Sequence, residues 1–99
     1  MDNSIPIRLP AMYHSLSSTR KKAVREEYVR IQKGKCSFCK KPLTGKPARK
    51  IRKLKINESI FPPHFLRWPV HLHHDHNTGL TLGAVHCYCN AVLFQYYVQ

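Results

Sequence analysis

The chain has 99 residues, enough for one small domain with a modest core and often in need of a staple. Seventeen lysines and arginines stand against five acids, a formal net charge of +12. No apolar run approaches the ~20 residues that span a bilayer, and no repeat marks a solenoid, so both classes are excluded.

The charge is concentrated. Between Glu27 and Glu58 there is no acidic side chain, while Arg30, Lys33, Lys35, Lys40, Lys41, Lys46, Arg49, Lys50, Arg52, Lys53 and Lys55 fall in that interval. Such a field favours a polyanion, nucleic acid first, over a basic but inert surface or a membrane-surface patch. Residues 1–10 lack the apolar core of a signal peptide. The expected location is therefore the cytoplasm, where the four cysteines are thiols or metal ligands rather than disulfides.

Residues 1–16 read as an arm that packs on the body or on a partner, and 17–99 as a single domain. Ser17, Ser18 and Thr19 offer N-cap oxygens. From there to Lys33 the apolar residues Val24, Tyr28 and Ile31 recur at helical spacing, with Ala23 beside them. Gly34 follows as the usual residue after a helix end. Arg20, Lys21, Arg25 and Arg30 form its polar face and read as solvated. After a turn-rich loop at 42–47, residues 48–57 are strongly basic, and the alternation at 54–56 predicts a short strand. Pro62, Pro63 and Pro69 mark an irregular connection, in which Phe61, Phe65, Leu66 and Trp68 read as core or cover. Residues 70–74 read as a strand, 75–79 as a turn, 80–85 as the returning strand, and 88–98 as a closing helix with Val92, Leu93 and Tyr96 on its buried stripe. The class is α+β.

Cys36 and Cys39 are spaced C-x-x-C and can hold two corners of a zinc tetrahedron from one tight turn. His86-Cys87-Tyr88-Cys89 supplies the second half in one of two ways. His86 with Cys89 repeats the spacing and makes a site of three cysteines and one histidine. Cys87 with Cys89 makes an all-cysteine site with a tighter bite. The ligand types and spacings of structural zinc favour the first.

The stretch His71-Leu72-His73-His74-Asp75-His76 gathers four histidines and an aspartate in six residues. It runs into Asn77-Thr78-Gly79, then Gly83, then Cys89-Asn90. This order resembles the recombination endonuclease VII family of the HNH, or His-Me finger, nucleases, whose pattern is D-H-D-H-x-T-G, x-R-G and C-x-x-C-N with an upstream C-x-x-C. The match covers residues 35–90, and its register puts His86 where the family has the first cysteine of its second pair. His73 stands in place of the family's first aspartate, and Leu82 in place of its arginine. Ala91-Val92-Leu93 stand where its resolvases carry an acid, so the fold and the nuclease chemistry carry over better than junction resolution.

The resemblance implies a zinc-stapled ββα-metal domain that hydrolyses DNA phosphodiesters, by nicking or by double-strand cleavage. His74 would be the general base, since an imidazole can take a proton from water near neutral pH. His73 and Asn90 would hold a catalytic divalent ion, Mg²⁺ or Mn²⁺, with Ni²⁺ or Zn²⁺ also compatible with a histidine ligand. His76 would contact the phosphate or steady the hairpin, and Asp75 would cap the turn. Arg49, Lys50, Arg52, Lys53 and Lys55 would contact phosphates. The enzyme would act as a nicking monomer or with a protein partner. The alternatives are a zinc-dependent nucleic-acid-binding module without chemistry, and a nuclease acting on RNA.

Overall fold

The computed structural model describes residues 6–97. Its first helix, α1 (Ser18–Ile31), starts where the Ser17 side chain accepts from the Arg20 amide at 3.1 Å. It ends where the Lys33 amide donates to the Arg30 carbonyl and the Gly34 amide to Val29, at 3.1 and 2.8 Å. Lys33 at φ 57° and Gly34 at φ 75° are both left-handed. The turn-forming position is thus Lys33, one residue before the expected glycine.

The remaining elements are a single-turn helix α2 (Arg49–Arg52), strands β1 (Val70–His74) and β2 (Thr81–His86), and helix α3 (Cys87–Tyr97). They form a small α+β unit around one two-stranded antiparallel sheet. Residues 1–5 of the expected arm and residue 98 of the expected closing helix lie outside the described residues. The rest of the arm packs on the body through Ile7, Leu9, Ala11, Tyr13 and Leu16. Among the described residues no helix is long and apolar enough to cross a membrane.

The strands pair from Val70↔His86 to His73↔Gly83 in regular register, and then His74 faces Thr81. Leu82 is the extra residue of this bulge, which sits beside His74. The hairpin turn is closed by Asp75, whose Oδ1 accepts from the amides of Asn77 and Thr78 at 2.7 and 3.0 Å. This is the turn role expected for Asp75. The core fills the space between α1, the sheet and α3 with Val24, Tyr28, Leu72, Val85, Val92 and Leu93.

Four expectations are corrected. Ile31 is not on the buried stripe but 49% exposed. The inward row runs at four-residue spacing, Val24–Tyr28–Gln32, and a polar residue takes the third place. The Gln32 carboxamide accepts from the Ala84 amide and donates to the Ala84 carbonyl, both at 2.9 Å, so it pairs with β2 as a peptide unit would. Residues 54–56 form no strand. Side chains of α3 take up this segment's backbone groups instead. Tyr88 Oη donates to the Leu54 carbonyl, Tyr96 Oη and Gln95 Nε2 donate to that of Lys55, and Gln95 Oε1 accepts from the Asn57 amide. Tyr96 is accordingly an exposed donor and not a core residue. Trp68, expected as cover, is 64% exposed.

Gly83 owes its identity to the same docking. A Cβ there would lie 2.8 Å from Ser37 Oγ and 3.0 Å from Gln32 Oε1. Gln32→Ala, which leaves the Ala84 amide unpaired and the Ala84 carbonyl with the Ser37 amide alone, should cost about 1–3 kcal/mol in chemical denaturation. Ile31→Ala, one residue away but exposed, should change stability by no more than about 0.5 kcal/mol. A larger loss from Ile31→Ala than from Gln32→Ala would reverse this assignment of the inward row.

Candidate metal centre and histidine-lined cleft

Two short segments meet at the junction of β2 and α3. The turn after α1 brings Cys36 and Cys39, the last residue of β2 is His86, and the first turn of α3 carries Cys89. One ligand atom from each residue lies within 4.8 Å of all the others. His86 Nδ1 is 3.5 Å from Cys39 Sγ and 3.6 Å from Cys89 Sγ. A zinc tetrahedron with bonds of about 2.3 Å to sulfur and about 2.0 Å to nitrogen has S–N edges of about 3.5 Å. The spacing therefore fits that ion.

The surroundings prepare the donors. His86 Nε2 lies 2.8 Å from the Pro42 carbonyl and donates to it, which leaves the Nδ1 lone pair aimed at the centre. The Phe38 amide donates to Cys36 Sγ at 3.4 Å. A hydrogen bond from the Cys89 thiol holds Cys36 down to about 4, against the opposing effect of burial, and the same bond with burial pushes Cys89 up. Three thiols crowded around one imidazole lone pair are arranged to exchange their protons for a dication, because metal binding releases ligand protons. These residues could hold a structural metal such as zinc. The choice between His86 and Cys87 falls to His86, since Cys87 Sγ turns away to the Leu66 carbonyl at 3.6 Å.

A cleft of about 600 Å³ opens on the other side of the hairpin. β1 contributes His71 and His74, the turn His76, α3 Asn90, α1 Lys21 and Arg25, and the N-terminal segment Tyr13. His74 is sandwiched, with the Tyr13 ring stacked on it at 3.8 Å between centroids and the His76 ring stacked at 4.8 Å. His14 meets it edge-on at 5.3 Å. Burial, then the charges of His76, His14, His73 and Lys21, push the His74 imidazole down to about 4. It is thus the neutral, proton-accepting form at physiological pH.

The sequence-derived site residues divide. His74, His76 and Asn90 line this one cleft, whereas His73 is 5% exposed and is not among the lining residues. Asn90 Nδ2 donates instead to His71 Nδ1 at 3.1 Å, two residues before the expected partner. His71, read from the sequence as ordinary, is thereby a member of the site, and burial lowers its pKa. The exposed Arg49, Lys50, Arg52, Lys53 and Lys55 stand apart from the cleft lining.

Sequence reasoning also passed over Tyr13, Lys21 and Arg25. The two cations are four residues apart on α1, a spacing that puts them on one face. Tyr13 has no local signal. It arrives because the chain before it pairs with the end of the hairpin, through the Met12↔Leu80 bridge and the bond from the Tyr13 amide to the Gly79 carbonyl at 2.8 Å.

Comparison of the chain with family models, curated proteins and solved structures finds no match.

Metal removal is the direct test of the centre. The protein should bind one zinc ion per chain, and a strong chelator should unfold it, with a folding contribution on the order of 10 kcal/mol apparent. Cys36→Ser or Cys89→Ser should abolish the zinc-dependent melting transition, while Cys87→Ser keeps both zinc and fold. Elemental analysis and circular dichroism read both outcomes.

Proposed function

We propose that the chain is a zinc-stapled, divalent-metal-dependent DNA endonuclease of the ββα-metal, or HNH, type. One observation carries the reading: His74 from the hairpin and Asn90 from the helix that follows it directly line one cleft. The sequence resemblance to endonuclease VII supports it through the same residues, and the net charge of +12 suits a phosphate-bearing substrate.

In this reading the His74 imidazole, neutral and gripped by Tyr13 and His76, takes the proton from an attacking water. The stacked rings hold its plane, so that the orientation of the lone pair is set before substrate arrives. Lys21 and Arg25 line the same cleft and draw the scissile phosphate in. Asn90 through its carboxamide oxygen, and His71 through the ring nitrogen that the Asn90 amide group would have to release, would hold a divalent cation, and two ligands leave coordination positions for phosphate oxygen and water. Such an ion, Mg²⁺ or Mn²⁺ or the histidine-tolerant Ni²⁺ or Zn²⁺, supplies Lewis-acid stabilisation of the phosphate and of the departing oxygen. His73, buried on β1, supports the strand that presents His74. The exposed run from Arg49 to Lys55 contributes affinity for the phosphate backbone rather than chemistry.

Plasmid relaxation in the presence of each of these ions tests the assignment. His74→Ala should lower nicking by about 10²–10⁴-fold and leave DNA affinity and the melting temperature unchanged. Failure of the protein to cut any DNA form with any ion would replace the nuclease with the binding module. A paired RNA substrate separates the two nuclease alternatives.

The basic run makes its own prediction. Replacing Arg49 and Lys53 by alanine should weaken DNA binding equally across sequences. It should also reduce the slope of log affinity against log salt by about one for each phosphate that is no longer neutralised. A change in sequence preference without a change in slope would show that these residues read bases.

A further inference from the structure

The cleft is built for more than a phosphate. Beyond His76 its wall is a run of aromatic rings: His76 to Phe94 at 5.5 Å between centroids, Phe94 to Phe61 at 5.8 Å, and Phe61 to Phe65 at 4.7 Å. Phe65 then meets His71 edge-on at 4.7 Å, which returns the run to Asn90. Trp68 and Phe94 line the same cleft and are themselves exposed. So much aromatic surface gathered at one opening is more than core packing requires, and it marks a binding site. Across from it stand Lys21 and Arg25, and among the described residues no acidic side chain lines the cleft. The Arg67 guanidinium lies 5.5 Å from the Trp68 ring, which brings a third cation to the rim.

An inorganic anion has no use for the rings, and a purely apolar ligand has no use for the cations. A nucleotide with its base unpaired uses both, the base on the aromatic faces and the phosphate on the cations. A paired duplex keeps its base faces stacked internally and offers phosphates and groove edges alone. The volume, about 600 Å³, is that of a small-ligand site and suits one or two nucleotides rather than a duplex lying across the molecule.

We infer that the cleft receives an unpaired nucleotide of a single strand, with Trp68, Phe61 and Phe94 as the stacking surface and Lys21 and Arg25 on the flanking phosphates. The inference rests on the reading of this cleft as the nucleic-acid site and names the substrate class for it: single-stranded or locally opened nucleic acid.

Trp68 is the sole tryptophan of the chain, so fluorescence excited selectively at tryptophan, beyond the absorption of the tyrosines, reports on this cleft. The zinc-loaded protein, without added divalent ion, is titrated with oligo-dU and oligo-rU of about 12 nucleotides and with a hairpin duplex of equal charge. Parallel samples with each divalent ion added are scored for cleavage on a gel. The expected result is quenching of Trp68 by one or both single strands, with tighter binding than to the duplex. Which single strand quenches more identifies the preferred sugar.

Trp68→Ala should weaken single-strand binding, followed by anisotropy of a labelled strand, by roughly 5- to 150-fold, and Trp68→Phe should recover most of the loss. Because Trp68 is exposed, neither variant should shift the melting temperature. Equal affinity for duplex and single strands with Trp68 unquenched, or unchanged affinity in Trp68→Ala, overturns the inference. Cleavage of duplex without quenching would overturn it and leave the nuclease standing. Quenching by single strands with no cleavage under any ion would keep the stacking cleft and remove the nuclease.

Discussion

The structure depends on the meeting of three thiols and one imidazole at the point where β2 becomes α3. A two-stranded hairpin is marginal alone in water, and this one is held to α1 by a few buried side chains. The Cys36–Cys39 turn and the His86–Cys89 pair are far apart in the sequence, and their convergence closes a loop of about fifty residues. Within that loop lie the basic segment and the irregular connection, neither of which has regular structure enough to hold itself. α3 holds the basic segment through hydroxyl and amide side chains that reach back to its carbonyls, and the irregular connection through Cys87, whose thiol and amide donate to the Leu66 and Pro69 carbonyls.

The same junction positions the cleft. Cys89 faces the candidate metal centre, and Asn90, its neighbour and so about 100° round the helix, faces His71. The first turn of α3 therefore serves the staple and the site with consecutive residues, and any rotation of that turn would disturb both. The bulge at Leu82 and the Asp75 turn act at the other end of the hairpin, where they bring His74 and His76 into a parallel stack. The cleft is framed by the two ends of one hairpin.

Much of this is legible in the sequence, and the reasons differ by element. The four candidate ligands can be named because metal chemistry restricts both residue type and spacing. The hairpin and α1 can be named because periodicity and turn residues are local signals. The inward row of α1 departs from its pattern at the last position. Hydrophobicity points to Ile31, but the place needs a side chain that can pair with a strand, and Gln32 meets that need. The strand expected at 54–56 fails for a related reason: alternation signals an extended chain, and it does not say whether another strand or a set of tyrosine and glutamine side chains will receive it. In the cleft, His74, His76 and Asn90 are legible from pattern. His71 and Tyr13 are not, since one depends on the path of α3 past β1 and the other on a bridge between segments nearly seventy residues apart.

The Gln32 carboxamide on Ala84 has a further consequence. A two-stranded ribbon leaves each strand with one flank of amides and carbonyls that can recruit a strand from another molecule. On β2 that flank is already taken: Gln32 covers Ala84, the Ser37 amide shares the same carbonyl, and Ala11 engages Thr81. A side chain and two loops thus stand in for a third strand. The ribbon cannot grow on that side, and a protein with so little sheet is spared polymerisation along its own backbone.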